Sequence, residues 1–354
     1  MKKNRNFIMI FSFGLGIASK NHKNEILEVY YPFTVIYPYT IFVKQLLKKL
    51  KFNININSNS FNLYLSNKDL LILYLELKNI CEFKTAKKIK SFLNTKKLLI
   101  FTFILYDKNP LNITDIFLKL HLISYRLCKP NSINLFGIFN IMKTIVWTNV
   151  GPIDSEEIIE TKNKAKLNNI YIAIFSIDKF PKLTDYVIPT NVRIADTSRI
   201  RLGAYLGKGS TIMHEGFCNF NAGTKGPCMI EGRISSGVFI NKNSDLGGGA
   251  SILGTLSGGG KILISIGKNC LIGANAGCGI PLGNCCIIEA GLYITSNSKI
   301  SILDINNKLI QIVKAKVLAY KNNLLFIRNS ITGRIECRIN KKIIKLNKNL
   351  HKKN

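Results

Sequence analysis

The sequence is poor in negative charge. Its 354 residues hold 20 Asp and Glu against 50 Lys and Arg, a formal net charge of +30. Such a surplus favours nucleic acid or anionic membranes as partners. However, no zinc-finger, helix-turn-helix or aromatic-interleaved basic pattern accompanies it, and most of it lies outside residues 187–300. We interpret it as scattered surface lysine of a chain rich in Lys, Asn and Ile, and expect no nucleic-acid and no membrane partner.

Long apolar runs and paired cysteines are also scarce. The apolar start of the chain imitates a signal peptide, but Gly14 and Gly16 break it and a strand-like segment follows, which favours mature structure. No later run is long enough to cross a membrane. None of the nine cysteines belongs to a CxxC pair, which argues against a disulfide framework or a zinc site. These absences predict a soluble, cytoplasmic protein with reduced cysteines.

Apolar residues between about Ile188 and Ile300 recur every six positions. This period fits neither the helical repeat of 3.6 nor the strand alternation of 2. It predicts three short faces, each with one inward residue, stacked into a parallel β-helix. Segments 219–227 and 254–261 interrupt the count and are interpreted as insertions. The inward positions are Ile194, Ile200, Leu206, Ile212 and Cys218, then Cys228, Ile234, Ile240, Leu246 and Ile252, then Ile266, Ile272, Cys278, Ile288, Ile294 and Ile300.

Three stretches of this region are distinctive: VRIADTSRIRLGAYLGKGSTIMHEGFCNFNAGTKGP (192–227), MIEGRISSGVFINKNSDLGGGASILGTLSGGG (229–260) and LIGANAGCGIPLG (271–283). They resemble the longer form of the tetrahydrodipicolinate N-succinyltransferases, a family of hexapeptide-repeat acyltransferases. The resemblance is specific from about Leu118 to Gly333. It implies a left-handed parallel β-helix and a homotrimer whose active sites lie between adjacent β-helices.

Around the repeats the sequence predicts two further domains. An α/β N-terminal domain spans 1–186, the β-helix spans 187–303, and a short β C-terminal domain with a basic tail spans 304–354. Thr114 or Asp115 is expected to cap a helix in the first of these. Predicted N-terminal strands are 26–32, 35–43 and 98–106; predicted helices are 63–77, 85–93 and 112–129; predicted C-terminal strands are 310–320, 323–330 and 334–339.

One carboxylate in the β-helix is the candidate catalytic residue. Acyl transfer from a thioester to an amine needs a group that removes the amine proton and donors for the tetrahedral oxyanion. By resemblance, Glu231 of MIEGR is this carboxylate, acting as a general base or by forming an acyl-anhydride. The plainer alternative is a surface Glu paired with Arg233. His214 is a second possible base, or a structural hydrogen-bond donor.

The resemblance also implies which residues contact the acyl donor, succinyl-CoA. The family's arginine after LLF is Ile327 here, which puts one phosphate or adenine contact in doubt. The glycine clusters 247–249 and 258–260 lack the P-loop frame, and instead let a thin ligand lie against the backbone. The implied donor contacts are Arg233, Gly248, Ser251, Ala274, Glu289, Ala290 and Lys314.

A magnesium site is implied in only part of the family. Glu215 of MHEGF matches one of its ligands, whereas the position of the partnering Asp is Ser198 here. A hard cation prefers several oxygen ligands, so the site would require three symmetry copies of Glu215 around a trimer axis.

The resemblance therefore implies transfer of a succinyl group from succinyl-CoA to the amino group of ring-opened tetrahydrodipicolinate. The product would be N-succinyl-2-amino-6-oxopimelate, in the diaminopimelate route to lysine. One alternative is the same fold with acetyl-CoA or another amine acceptor. The other is a drifted, non-catalytic trimeric scaffold, against which the intact MIEGR, MHEGF and GGGAS motifs argue.

Overall fold

The computed structural model describes residues 10–52, 58–80, 82–256 and 262–340. The chain folds into two compact units. The first unit contains the described residues up to Leu122 together with Ile133–Pro181, and the second contains Ile123–Ser132 and the described residues from Lys182 onward. The predicted basic tail from 341 and the glycine cluster 258–260 lie outside the described residues.

The first unit combines helices with two antiparallel sheets. The larger sheet has the order β2-β1-β4-β3 and the smaller one the order β6-β5-β7. The elements are β1 (Ser12–Lys20), β2 (Ile26–Ile36), α1 (Thr40–Lys49), β3 (Ser60–Tyr64), α2 (Asn67–Asn79), α3 (Phe83–Lys90), β4 (Leu98–Ile104), α4 (Ile113–Ser124), α5 (Ile138–Ile141), β5 (Ile145–Thr148), β6 (Gly151–Asp154), α6 (Ile158–Leu167) and β7 (Ile174–Asp178).

The core of this unit lies on both faces of the larger sheet. The apolar run of β4 is buried almost throughout, as expected for a strand covered on two sides. Helices α1, α2 and α3 cover one face through Leu46, Leu73 and Ile89. On the other face, the backbone N–H of Tyr31 in β2 donates to Nε2 of His121 in α4 at 3.2 Å.

Several predicted boundaries in this unit are wrong. The strand predicted at 35–43 ends at Ile36, because Tyr37 adopts a positive φ of 47° and α1 follows. The helix predicted at 63–77 begins only at Asn67, where Ser66 forms a capping box with Asp69. The cap of α4 is Asn112, whose Oδ1 accepts from the N–H of Asp115 at 2.9 Å.

The second unit is a parallel β-helix with three ladders of short strands, which confirms the predicted fold. The first ladder contains Arg193–Ile194, Ser210–Ile212, Cys228–Ile230, Asp245–Leu246, Leu271–Ile272, Ile287–Ile288 and Leu324–Arg328. The second contains Phe217–Cys218, Arg233–Ile234, Ser251–Ile252, Gly277–Cys278 and Tyr293–Ile294. The third contains Ala204–Leu206, Ala222–Thr224, Phe239–Ile240 and Ser265–Ile266. Short 3-10 turns lie at Leu183–Asp185, Thr197–Arg199 and Ala315–Leu318.

The segment 219–227 is not an insertion, which corrects the predicted repeat count. Ala222–Thr224 is a regular strand of the third ladder, and Thr224 is opposite Leu206 and Ile240. Thr224 is buried, and its hydroxyl is 2.7 Å from Oγ of Ser210. A polar residue thus occupies an inward position. A search for apolar residues at six-residue intervals does not detect it.

The inward cysteines act as small apolar fillers, as predicted. Cys218, Cys228 and Cys278 are free and buried. The predicted place of Cys228 in the repeat is wrong, because Ile230 is opposite Ile212 and Leu246 while Cys228 is opposite Ser210. Burial raises the pKa of Cys228 to about 11, so its thiol stays protonated at neutral pH.

The chain after Ile300 remains attached to the first ladder. Leu324–Arg328 pairs in parallel with Ile287–Ile288 and antiparallel with Ile335–Ile339, and Lys299–Leu303 pairs with Leu309–Lys314. The predicted strand 310–320 ends at Lys314, before the 3-10 turn. The division of the whole chain into three domains stays a prediction. Within the described ranges, no helix is long and apolar enough to cross a membrane.

Candidate active site

Most of the predicted site residues lie along one edge of the β-helix, where the first ladder turns into the second. We call this the front edge and define it as residues 213–216, 231–232, 247–250, 273–276 and 289–292. Hydrogen bonds between successive coils stack these corners: Glu231 N–H donates to Leu246 O at 2.8 Å, and Gly247 N–H donates to Ile272 O at 2.8 Å. Because neighbouring strands are about 4.8 Å apart, residues distant in sequence form one continuous line.

The corner that carries Glu231 is shorter than its neighbours. Only Glu231 and Gly232 separate the strands Cys228–Ile230 and Arg233–Ile234, whereas four residues separate the strands before and after. A Cβ on Gly232 would lie 2.3 Å from Ala250 O, so only glycine permits this close approach. With two residues fewer than the corners on either side, this corner is expected to project less and to form a recess between them.

Two carboxylates converge on this recess. A Cβ built on Gly248 would lie 3.6 Å from Oε2 of Glu231 and 3.8 Å from Oε2 of Glu215. Glu231 is half-buried and Glu215 is exposed. Both carboxylates therefore flank the same backbone glycine, and in a strongly basic chain they form a local site of negative charge.

Two glycine N–H groups lie on the neighbouring corner 247–250. The N–H groups of Gly248 and Gly249 donate to no acceptor among the residues that the structure describes. Gly248 adjoins the Glu231 carboxylate, and free backbone donors next to a catalytic group are what an oxyanion-binding site requires.

Arg233 does not pair with Glu231. Its guanidinium donates instead to Oγ of Ser251, at 2.9 Å from Nη2 and 3.2 Å from Nε. Across the described ranges, no ion pair joins Arg233 to Glu231. The interpretation of Glu231 as one half of a surface ion pair is therefore wrong, and Arg233 and Ser251 form a unit of their own.

The other predicted donor contacts divide into two groups. Ala274 and Ala290 are exposed on the front edge in line with Gly248. Glu289 lies on the same edge, and its Oε2 accepts from the backbone N–H of Arg328 at 2.7 Å. Lys314 lies elsewhere, opposite Lys299 in a terminal strand pair, and its place in the site stays a prediction.

Two arginines near the edge are held by backbone carbonyls or amides. Arg199 donates to Glu215 O at 3.0 Å and to Gly216 O at 3.3 Å. Arg201 donates to Oδ1 of Asn219 at 3.2 Å. His214 is exposed on the corner 213–216 and forms no hydrogen bond with the described residues, so a structural donor role has no support.

The described residues do not fit a magnesium site within one chain. No group of three His, Cys, Asp or Glu side chains is gathered in the described part of the chain. The hydroxyl of Ser198 donates to Asp196 at 2.7 Å, and this hydrogen bond, together with the charge of Arg199, lowers the pKa of Asp196. Glu215 as a metal ligand stays a prediction that needs further copies of the chain.

Sequence reasoning missed the structural role of Gly232 in shaping the recess. The signal was present, because Thr224, Ile230 and Ile234 are inward residues separated by six and then by four positions. The shortened interval becomes visible once a buried threonine is accepted as an inward residue.

Comparison with known proteins adds a separate set of findings. One family model, described as "Tetrahydrodipicolinate N-succinyltransferase middle", matches residues 142–182, and another, "Hexapeptide repeat of succinyl-transferase", matches residues 263–296. The chain is similar to a 2,3,4,5-tetrahydropyridine-2,6-dicarboxylate N-succinyltransferase of Pseudomonas aeruginosa, with 47% identity over 98% of this chain and 99% of the relative. The enzyme of that name from Vibrio cholerae is 45% identical over 97% of this chain and 99% of the relative.

A solved structure is similar over the same length. It is that of a 2,3,4,5-tetrahydropyridine-2-carboxylate N-succinyltransferase from Campylobacter jejuni, with a TM-score of 0.88 and 33% identity. The match covers 97% of this chain and 96% of that one. The β-helix of the second unit is accordingly left-handed.

Proposed function

The chain belongs to the tetrahydrodipicolinate N-succinyltransferase family, and from this premise we propose how its front edge carries out the reaction. The enzyme transfers a succinyl group from succinyl-CoA to the amino group of ring-opened tetrahydrodipicolinate. The products are CoA and N-succinyl-2-amino-6-oxopimelate, in the diaminopimelate route to lysine.

The observation that carries the mechanism is the convergence of Glu231 and Glu215 on Gly248. The amino group of the acceptor is largely protonated in water, and two carboxylates attract its ammonium form. The ammonium group first releases one proton to solvent, which leaves a neutral amine with a free electron pair. Glu231 then removes the second proton as the nitrogen attacks the thioester carbonyl. The N–H groups of Gly248 and Gly249 stabilise the tetrahedral oxyanion, and the C–S bond breaks to release CoA as its thiolate.

Acyl-donor binding rests on the small residues of the front edge. Gly248, Ala274 and Ala290 present no side chain larger than a methyl group, so the thin arm of CoA can lie along stacked corners. Arg233 and Ser251 flank this line and Glu289 and Lys314 complete the proposed set. The proposal also includes a homotrimer in the cytoplasm that acts on small molecules, without nucleic-acid or membrane partners. No step requires magnesium.

The direct test is product formation with purified protein and freshly prepared tetrahydrodipicolinate. We expect a succinylated product by mass spectrometry with succinyl-CoA, and a loss of about 100- to 10,000-fold in kcat for Glu231→Gln, the usual contribution of a general base. Glu160→Gln is the matched control, because Glu160 is an exposed helix carboxylate paired only with Lys164.

The outcomes separate the alternatives. An acetylated product from acetyl-CoA would retain the fold and mechanism but change the donor. No product from either donor, in a folded sample, would contradict the enzyme and favour the scaffold.

A second measurement separates the two roles of Glu231. If Glu231 forms an acyl-anhydride, succinyl-CoA without acceptor should yield a succinyl adduct on the intact protein, and Glu231→Gln should not. If Glu231 is a general base, neither protein should carry the adduct.

A further inference from the structure

The outer surface of the second ladder carries a column of side chains beside the front edge. Arg233 is opposite Ser251 in the ladder, Ser251 is opposite Gly277, and Gly277 is opposite Tyr293. Arg233 and Ser251 are proposed donor contacts and are hydrogen-bonded to each other. Gly277 and Tyr293 extend the same column by two coils and have no part in the proposed function.

Tyr293 lies across the backbone of Gly277. A Cβ on Gly277 would lie 2.1 to 2.4 Å from three atoms of the Tyr293 ring, Cε2, Cδ2 and Cζ. Gly277 does not adopt a positive φ, so its backbone conformation does not require glycine. Glycine is required because the tyrosine ring occupies the space that a side chain would fill. Tyr293 is nonetheless 45% exposed, so one side of the residue rests on the sheet and another side faces outward.

The position of this ring relative to Glu231 is set by the coil spacing. Glu231 lies in a corner, and Tyr293 lies in a strand three coils further along the β-helix. At about 4.8 Å per coil, the two residues are roughly 14 Å apart. A pantetheine arm has about twelve bonds between its sulfur and its phosphate oxygen, an extended reach of roughly 15 Å at ordinary bond lengths. With the thioester at Glu231, the far end of the arm reaches Tyr293.

We infer that Tyr293 binds the pantoyl end of the acyl donor's pantetheine arm, an inference that rests on the proposed function. The pantoyl group carries two methyl groups on one carbon, and an aromatic ring offers them a broad apolar surface. Gly277 brings the ring close to the sheet and leaves its outer part free for this contact. The ring positions the donor and takes no part in the chemistry.

The test compares Tyr293→Ala with Tyr293→Phe and with wild type. Loss of one aromatic contact of about 0.5–1.5 kcal/mol corresponds to a two- to tenfold change. We expect Tyr293→Ala to raise KM for succinyl-CoA by that factor with kcat nearly unchanged, and Tyr293→Phe to behave as wild type. Tyr205→Ala, on the outer surface of the third ladder beside Phe239, is the control and should change neither constant.

Truncated donors identify the part of CoA that the ring contacts. The ratio of kcat/KM between wild type and Tyr293→Ala should persist with succinyl-pantetheine and fall to one with the succinyl thioester of N-acetylcysteamine, which lacks the pantoyl group. A ratio that persists with the shorter thioester would overturn the inference, since the ring would then act through the fold or the acyl end. A ratio already lost with succinyl-pantetheine would also overturn it and assign the ring to the nucleotide half.

The same experiment distinguishes failure of the inference from failure of the proposed function. Wild-type turnover of succinyl-CoA tests the function by itself. An active wild type with an unaffected Tyr293→Ala variant would contradict only the role of Tyr293. Equal thermal unfolding of the two proteins shows that a change in KM does not arise from loss of fold.

Discussion

The first unit buries ionisable side chains, whereas the β-helix keeps most of its own at the surface. In the first unit, His121 and Lys119 are buried, as is Asp115, and burial raises the pKa of the Asp115 carboxyl. In the β-helix, the inward positions are mostly aliphatic residues and cysteines, with the uncharged hydroxyls of Thr224 and Ser210 among them, and Glu215 is exposed. Ionisable groups therefore hold the first unit together, while those of the β-helix remain available for chemistry.

The largest expected effect on stability is at Lys119 in the first unit. Its Nζ lies 2.7 Å from Oδ1 of Asp107 and also donates to the carbonyls of Lys108 and Asn134. Lys119→Met should lower the free energy of unfolding by about 3–4 kcal/mol. Asp107 loses its cationic partner and keeps only the N–H of Asn134, and two carbonyls lose the ammonium donor. Urea unfolding measures this. Lys164→Met, at an exposed helix pair, is the control, and an equal loss in both variants would contradict the comparison.

The next effect is a pH dependence that originates in the first unit. Complete burial lowers the pKa of His121 from 6.5 to about 4. The neutral imidazole therefore stabilises the fold above pH 6.5, and this contribution is lost as the pH falls from 6.5 toward 4. Between pH 7 and pH 5 we expect a loss of about 2 kcal/mol from this residue. His121→Gln should show a shallower pH dependence of thermal unfolding, and an unchanged slope would contradict the assignment.

An effect of similar size is expected at the recess of the β-helix. Gly232→Ala places a methyl group 2.3 Å from the carbonyl of Ala250, so the corner must move outward at a cost of about 2 kcal/mol. Because Glu231 is the adjacent residue, the Gly232→Ala variant should also have a lower kcat. Gly248→Ala is the comparison for stability, since its Cβ meets the two carboxylates only at ordinary contact distance. Similar stability of Gly232→Ala and wild type would show that the corner is not constrained as described.

The smallest effect is expected at the polar inward position. Thr224→Val removes one buried hydrogen bond to Ser210, whose hydroxyl keeps its bond to Gly207 O at 2.7 Å. The free energy of unfolding should fall by about 1 kcal/mol. A gain in stability would indicate that the position favours an apolar residue, as at the other inward sites.

The repeat region could be predicted well because each strand of a β-helix obeys the same local rule. One inward residue per face produces a period that is visible along the chain, and the positions from Leu206 to Ile300 that follow it are buried. The first unit was harder to predict. Abundant isoleucine and lysine blur its periodicity, and the boundary after Ile36 depends on the positive φ of Tyr37.

The candidate site, like the fold, could be predicted only in part. Its residue types and the proposed chemistry of Glu231 came from motifs and the family resemblance. The pairing of Arg233 with Ser251 could not be predicted, because these residues are 18 positions apart. The recess at Gly232 and the ring of Tyr293 across Gly277 likewise arise from contacts between coils.

The β-helix, its three faces and the types of residue at its corners depend on local periodicity and can be predicted from the sequence. Which corners are stacked, and that Glu215 and Glu231 meet at Gly248, depends on contacts between coils that are visible only in the folded chain. The physical reason is that stacking depends on the number of residues between inward positions, and a buried threonine or a corner shortened by two residues changes that register without a strong signal along the chain.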